Sequence, residues 1–162
     1  MRDGRRIVVG IGNPLAGDDA VGRLVVRALR QRAPPAADLV ECDGEAGALL
    51  DLLREAEVAL LVDAGRFGAA AGTIRRLDAL TETIPAPQIA STHGFGLSQA
   101  VALARVLGWL PRRCLLYLIE GSCWTSAAPL SPPVADAVPL VAAMLSRELG
   151  AENSSWMGAA RG

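Results

Sequence analysis

Residues 6–30 read RIVVGIGNPLAGDDAVGRLVVRALR, an apolar run, a glycine-rich turn and an amphipathic run in succession. Arg6 to Gly10 is a short apolar run that breaks at Gly10-Ile11-Gly12-Asn13-Pro14, which predicts a buried strand. Ala20 to Arg32 then carries Val21, Leu24, Val25, Ala28 and Leu29 at helical spacing, with Arg23, Arg27 and Arg30 elsewhere on the surface, which predicts a helix. Pro34-Pro35 stops it. The alternation continues outward from there. Asp38 to Cys42 predicts a second strand, and Ala46 to Glu55 a helix carrying Leu49, Leu50, Leu52 and Leu53. Val58 to Val62 is apolar on both faces, as a central parallel strand must be. Gly65 to Gly72 reads as a loop and Thr73 to Leu77 as a polar edge strand. Ser98 to Leu107 predicts a helix with Ser98 as its N-cap and Gly108 just past its end. Cys114 to Ile119 is another apolar strand, and Gly121 to Leu130 a loop. Ser131 is expected to cap a last helix with Pro132 at its first position, and Pro139 to kink that helix or delay its start.

Strands alternating with helices imply an α/β fold of three layers, a mostly parallel sheet with helices on both faces. In such sheets ligands sit beyond the carboxyl ends of the strands, near a topological switch point. Residues 1–150 are expected to form one domain, and residues 151–162, which lack periodicity, a loosely ordered tail.

Composition limits the function classes. A chain of 162 residues fits one domain and can bury a core without staples. With 51% hydrophobic and 20% charged residues it is globular rather than disordered. A formal net charge of -1 argues against a nucleic-acid partner. The 16 basic residues are all arginine, which reads as compositional bias. The apolar run after MRDGRR is too short for a signal peptide, and no run approaches a membrane span. Cys42, Cys114 and Cys123 are scattered, with neither zinc-site nor disulfide spacing, which fits a reducing compartment, the cytoplasm.

Three positions carry the candidate chemistry. In Gly10-Ile11-Gly12-Asn13-Pro14-Leu15, Leu15 stands where a dinucleotide-binding loop needs its third glycine, and Asp18-Asp19 would repel a pyrophosphate, so nucleotide binding is demoted. Taken alone, Asp18 and Asp19 read as a helix cap; one carboxylate suffices, which leaves the other to explain. Asp63 directly follows the Val58 to Val62 strand, where it either starts a turn or lies at the functional edge. His93, the single histidine, lies in the glycine-flanked loop Ser91-Thr92-His93-Gly94-Phe95-Gly96. Two carboxylates and an imidazole converging on one sheet edge suit a divalent metal such as Ni, Zn, Mn or Fe, with positions left open for a substrate. The serines Ser91, Ser98 and Ser122 have no second histidine to activate them, and Cys123 could pair with His93 only if the fold joins them.

Gly10 to Gly22, the strand ending at Asp63 and the Ser91-Thr92-His93 loop together resemble the nickel–iron hydrogenase maturation endopeptidases. Asp43 to Gly47 and Leu130-Ser131-Pro132 are similar to further segments of that family, so the resemblance runs from about Ile7 to Leu149. It implies a twisted five-stranded sheet between helices. It implies an enzyme that clips a C-terminal extension from the precursor of a hydrogenase large subunit, with the precursor's nickel as recognition element. By position, Asp19, Asp63 and His93 would contact the metal and carry catalysis, and Asp18 would be the cap. The partner implied is the precursor; the protein itself is expected as a cytoplasmic monomer without nucleic-acid or membrane partners. Three departures stand out. The first ligand is often Glu in the family and is Asp19 here; Glu45 stands where Gly or Thr is common; the loop from Glu120 to Pro129 is less typical. Hydrolysis could use a carboxylate as general base or a metal-activated water. The competing class is a non-catalytic metal-dependent binding module or maturation chaperone, which would hold the precursor uncut.

Overall fold

The computed structural model describes residues 4–32, 36–85 and 94–159, and the side chains of all of these except 94–95 and 152–159. Its elements are β1 (Arg6–Ile11), a 3-10 turn (Gly17–Ala20), α1 (Val21–Arg30), β2 (Asp38–Cys42), α2 (Ala46–Glu55), β3 (Val58–Gly65), β4 (Ile74–Asp78), α3 (Gly94–Val106), β5 (Arg113–Glu120) and α4 (Pro132–Ala159). The five strands form one sheet in the order β2-β1-β3-β5-β4. β1 pairs in parallel with β2 and β3, and β3 with β5; β4 alone runs antiparallel, at the edge.

Alternation along the central strands builds two cores. Ile7, Val9 and Ile11 of β1, with Ala59 and Leu61 of β3, face the side covered by α2 and α3. Val8 of β1, with Val58, Leu60 and Val62 of β3, face the side covered by α1 and α4. α1 packs on α4, and α2 on α3, so the sheet is the middle of three layers. Glu148 fixes α4 to the sheet. Its carboxylate accepts hydrogen bonds from the Tyr117 hydroxyl at 2.9 Å and from Arg76 and Arg113.

Several boundaries differ from expectation for physical reasons. β3 runs on to Gly65, because Asp63, Ala64 and Gly65 pair with Leu118, Ile119 and Glu120 of β5, so Asp63 belongs to the strand rather than following it. α3 starts at Gly94, so Ser98 is inside the helix and is not its N-cap. Two glycines at a helix start are tolerated here because α3 meets bare backbone: a Cβ at Gly96 would lie 1.7 Å from the Gly44 carbonyl oxygen. Gly108 lies just beyond α3 with φ 69°, as expected of a C-terminal glycine. Pro139 does not delay α4, which starts at Pro132, and Gly150, the expected boundary of the tail, falls within that helix.

The glycines of the first motif serve packing. A Cβ at Gly10 would lie 2.3 Å from the Gly22 carbonyl oxygen, and one at Gly22 would lie 2.4 Å from the Val62 carbonyl oxygen and 2.5 Å from that of Ile11. α1 therefore lies directly against β1 and β3. The variant Gly22→Ala is expected to force these apart and cost about 3 kcal/mol, lowering the melting temperature by roughly 6–12 °C in a thermal unfolding experiment.

Candidate functional site

The chain leaves β1 for β2 on one side and returns as β3 on the other, so the switch point of the sheet lies between the carboxyl ends of β1 and β3. Asp63 sits there. Its place in the strand alternation puts it on the face of Ala59 and Leu61, toward α2 and α3. It is 6% exposed, and the Ala64 N–H donates to Oδ1 at 2.8 Å. Burial, reinforced by the negative charge of Asp19, pushes the Asp63 carboxyl well above its ordinary range. The structure thus brings together two of the three expected site residues.

Asp19 is held at the end of β1 by backbone. The Asn13 N–H donates to its Oδ2 at 2.9 Å, and its own N–H donates to the Ala16 carbonyl at 3.1 Å. Gly12 has φ 141°, and a Cβ there would lie 1.8 Å from the Asp19 carbonyl oxygen, so only glycine lets the turn fold back over the strand end. Arg23 donates from Nε to the Gly12 carbonyl at 2.6 Å. Asp19 is half-buried and keeps solvent access. His93 lies outside the described residues.

Asp18 is not a helix cap. Its side chain is fully buried and bonds to the segment after β5. It accepts from the N–H groups of Ser122 (2.7 Å), Cys123 (2.8 Å) and Ser131 (2.7 Å) and from the Ser131 hydroxyl (2.8 Å). Burial alone would raise this carboxyl, but the converging donors outweigh it and hold it below the ordinary range. The Ser131 hydroxyl is therefore engaged by Asp18 rather than by the start of α4. Two further bonds join the same segments: Asp18 N–H to the Cys123 carbonyl at 2.7 Å and Ala127 N–H to the Leu15 carbonyl at 2.6 Å. Neither α1 nor the 3-10 turn before it has a side-chain cap.

Beside Asp63 opens a cleft of about 50 Å³, lined by Arg66, Phe67, Leu97, Ser98 and Leu118 among others. The loop that carries Arg66 and Phe67 is braced from β5. The buried Glu120 accepts the Phe67 N–H at 2.7 Å, and the Gly121 N–H donates to the Gly65 carbonyl at 3.0 Å. Glu45, the departure in the β2–α2 loop, caps α2: it accepts the N–H groups of Gly47 and Ala48, each at 2.8 Å. Among the described residues no three His, Cys, Asp or Glu side chains converge as a metal cage. The described donors are the two carboxylates, whose oxygens suit a divalent cation.

Sequence reasoning missed Asp18 as a staple, Glu120 as a brace and Arg66 as a cleft residue. The surplus aspartate was the one visible signal; the partners of Asp18 lie more than 100 positions away.

Comparison with known proteins bears on the family and the fold. Residues 23–148 match the family described as hydrogenase maturation protease; Asp63 and His93 fall inside that match, and Asp18 and Asp19 precede it. The hydrogenase expression/formation protein HupD of Thiocapsa roseopersicina is 32% identical over 118 residues, 70% of this chain and 53% of that protein. The HupD of Rhodobacter capsulatus is 35% identical over 116 residues, 69% and 55% of the two. The chain thus spans about half the length of these curated relatives. The solved structure of the hydrogenase maturating endopeptidase HybD from E. coli superposes with a TM-score of 0.78 at 25% identity, covering 91% of this chain and 93% of that one.

The two aspartates are expected to respond oppositely to neutralisation. Asp63 has a raised carboxyl pKa, so the folded state holds its proton where the unfolded chain releases it, and stability falls as pH rises above 3.8. Asp63→Asn should melt higher than the parent at pH 7 and equally near pH 3. Asp18 has a lowered one, so its contribution is present above 3.8 and lost as pH falls through the folded value. Asp18→Asn should cost about 3 kcal/mol at pH 7, and less in acid. Denaturant unfolding at both pH values checks both.

Proposed function

Because this chain belongs to the hydrogenase maturation protease family, we propose that it is the endopeptidase that removes a C-terminal extension from the nickel-loaded precursor of a hydrogenase large subunit. The observation that carries this reading is the pairing of Asp63 with Asp19 at the switch point of the sheet. A buried carboxylate whose ionisation is opposed by burial and by a second carboxylate gains most from an arriving cation. The open cleft lets that cation arrive on another molecule.

In this reading the nickel is part of the substrate. Asp19, Asp63 and His93 are the donors that meet it, and the precursor's own donors complete the coordination. Affinity then depends on the metal having been inserted, so cleavage checks the loading of the precursor. The binding energy places the scissile peptide beside the carboxylates. Hydrolysis adds water across the peptide bond. A carboxylate of the pair takes one proton from the water as its oxygen bonds to the carbonyl carbon, and that proton passes to the departing nitrogen. The name of the structural relative from E. coli supports peptidase chemistry. No helix among the described residues is long and apolar enough to cross a membrane, and the protein is proposed to act as a cytoplasmic monomer.

Intact-mass analysis of a nickel-loaded large-subunit precursor, incubated with this protein, tests the reading. The expected result is a loss of mass equal to a C-terminal peptide, slowed at least 100-fold by Asp19→Ala, Asp63→Asn or His93→Ala in variants that still unfold cooperatively. A precursor retained uncut by the parent protein would assign a binding module instead.

A further inference from the structure

Arg66 lies three residues beyond Asp63 and lines the same cleft. Its guanidinium lies 4.5 Å from the centre of the Trp124 ring. No ion pair joins it to a carboxylate among the described residues. Its position is built from both sides. Glu120 holds the next residue, Phe67, through the backbone N–H, and Gly121 holds the preceding one, Gly65, through its carbonyl. Trp124 is itself packed tightly, since a Cβ on Gly121 would lie 2.6 Å from its ring. A second cation, Arg75, lies 5.8 Å from the Phe67 ring centre on the exposed surface of β4. The cleft therefore has the Asp63 carboxyl and the Arg66 guanidinium in its wall, with Asp19 beside Asp63.

A guanidinium stacked on an aromatic face keeps its edge N–H groups directed outward, and that edge matches a carboxylate in a two-pronged bond. Resting on Trp124, it loses little freedom when a partner arrives. We propose that Arg66 is a specificity-determining residue that receives a carboxylate from the C-terminal segment of the precursor. This rests on the endopeptidase reading. An acidic group would be repelled from the Asp19 carboxylate, so the Arg66 cation gives it a separate place in the cleft. The cation-bearing and anion-bearing parts of the substrate then enter in one order only, which sets the register of the peptide. The carboxylate is either a side chain or the chain terminus of the precursor.

Steady-state processing of the nickel-loaded precursor tests the proposal. Cleavage by the parent protein establishes the endopeptidase reading independently; without it that reading fails before Arg66 is tested. Given cleavage, Arg66→Gln is expected to raise KM about tenfold with kcat within a factor of two, and Arg66→Lys to recover part of the loss. Each Asp and Glu of the precursor's C-terminal segment is then neutralised singly, and in a separate variant two glycines are appended to displace the terminal carboxylate. One of these changes should raise KM for the parent protein by the same factor and add nothing in Arg66→Gln. A side-chain variant or the glycine extension behaving so identifies the source. An unchanged KM in Arg66→Gln, or no precursor variant that reproduces its effect, overturns the proposal.

Discussion

The buried carboxylate of Asp18 is the interaction on which the carboxyl edge of this sheet depends. Three N–H groups and two hydroxyls of Ser122, Cys123 and Ser131 converge on it. A buried charge is tolerated only when its oxygens are satisfied in this way. The consequence is mechanical. The segment after β5 is fastened to the segment after β1, although they come from opposite ends of the chain. Asp19, next in sequence, inherits its place from this staple and from the close passage of Gly12 beneath its carbonyl. Trp124, next to Cys123, is fixed from the other side. One buried ion thus orients both the acidic site and the aromatic platform under Arg66.

The neighbouring aspartates show how environment separates identical side chains. Asp18 is surrounded by N–H and O–H donors and stays ionised. Asp63 is buried with the Asp19 charge nearby and, among the described residues, accepts a hydrogen bond only from the Ala64 N–H, so it holds its proton more tightly. The first contributes stability. The second lowers it at neutral pH. Glu45 adds no third charge to this arrangement, because its carboxylate is turned onto the N-terminus of α2.

Much of the fold was legible because it rests on local pattern. The runs at Ile7, Val58 and Cys114 could only be buried strands, and the spacing of Val21, Val25 and Leu29 fixes one face of α1. Asp63 was found because a carboxylate at the end of a central strand is conspicuous. What was misread involves contacts that spacing does not encode. Asp18, Ser98 and Ser131 all have the composition of helix caps, and a cap is their commonest role at a helix start. Asp18 and Ser131 instead bond each other across 113 positions, and Ser98 is drawn inside α3 because Gly96 packs on Gly44. Arg66 was unremarkable in a glycine- and alanine-rich loop until β5 and Trp124 were placed beside it.

The proposed function has the two carboxylates recognise a metal carried by the substrate. Competition measures this most directly: the loaded precursor is processed in the presence of rising amounts of the same precursor without metal. The metal-free form is expected to inhibit with a constant at least ten times the KM of the loaded form. Equal values for the two would mean that the protein recognises the polypeptide alone, and would contradict it.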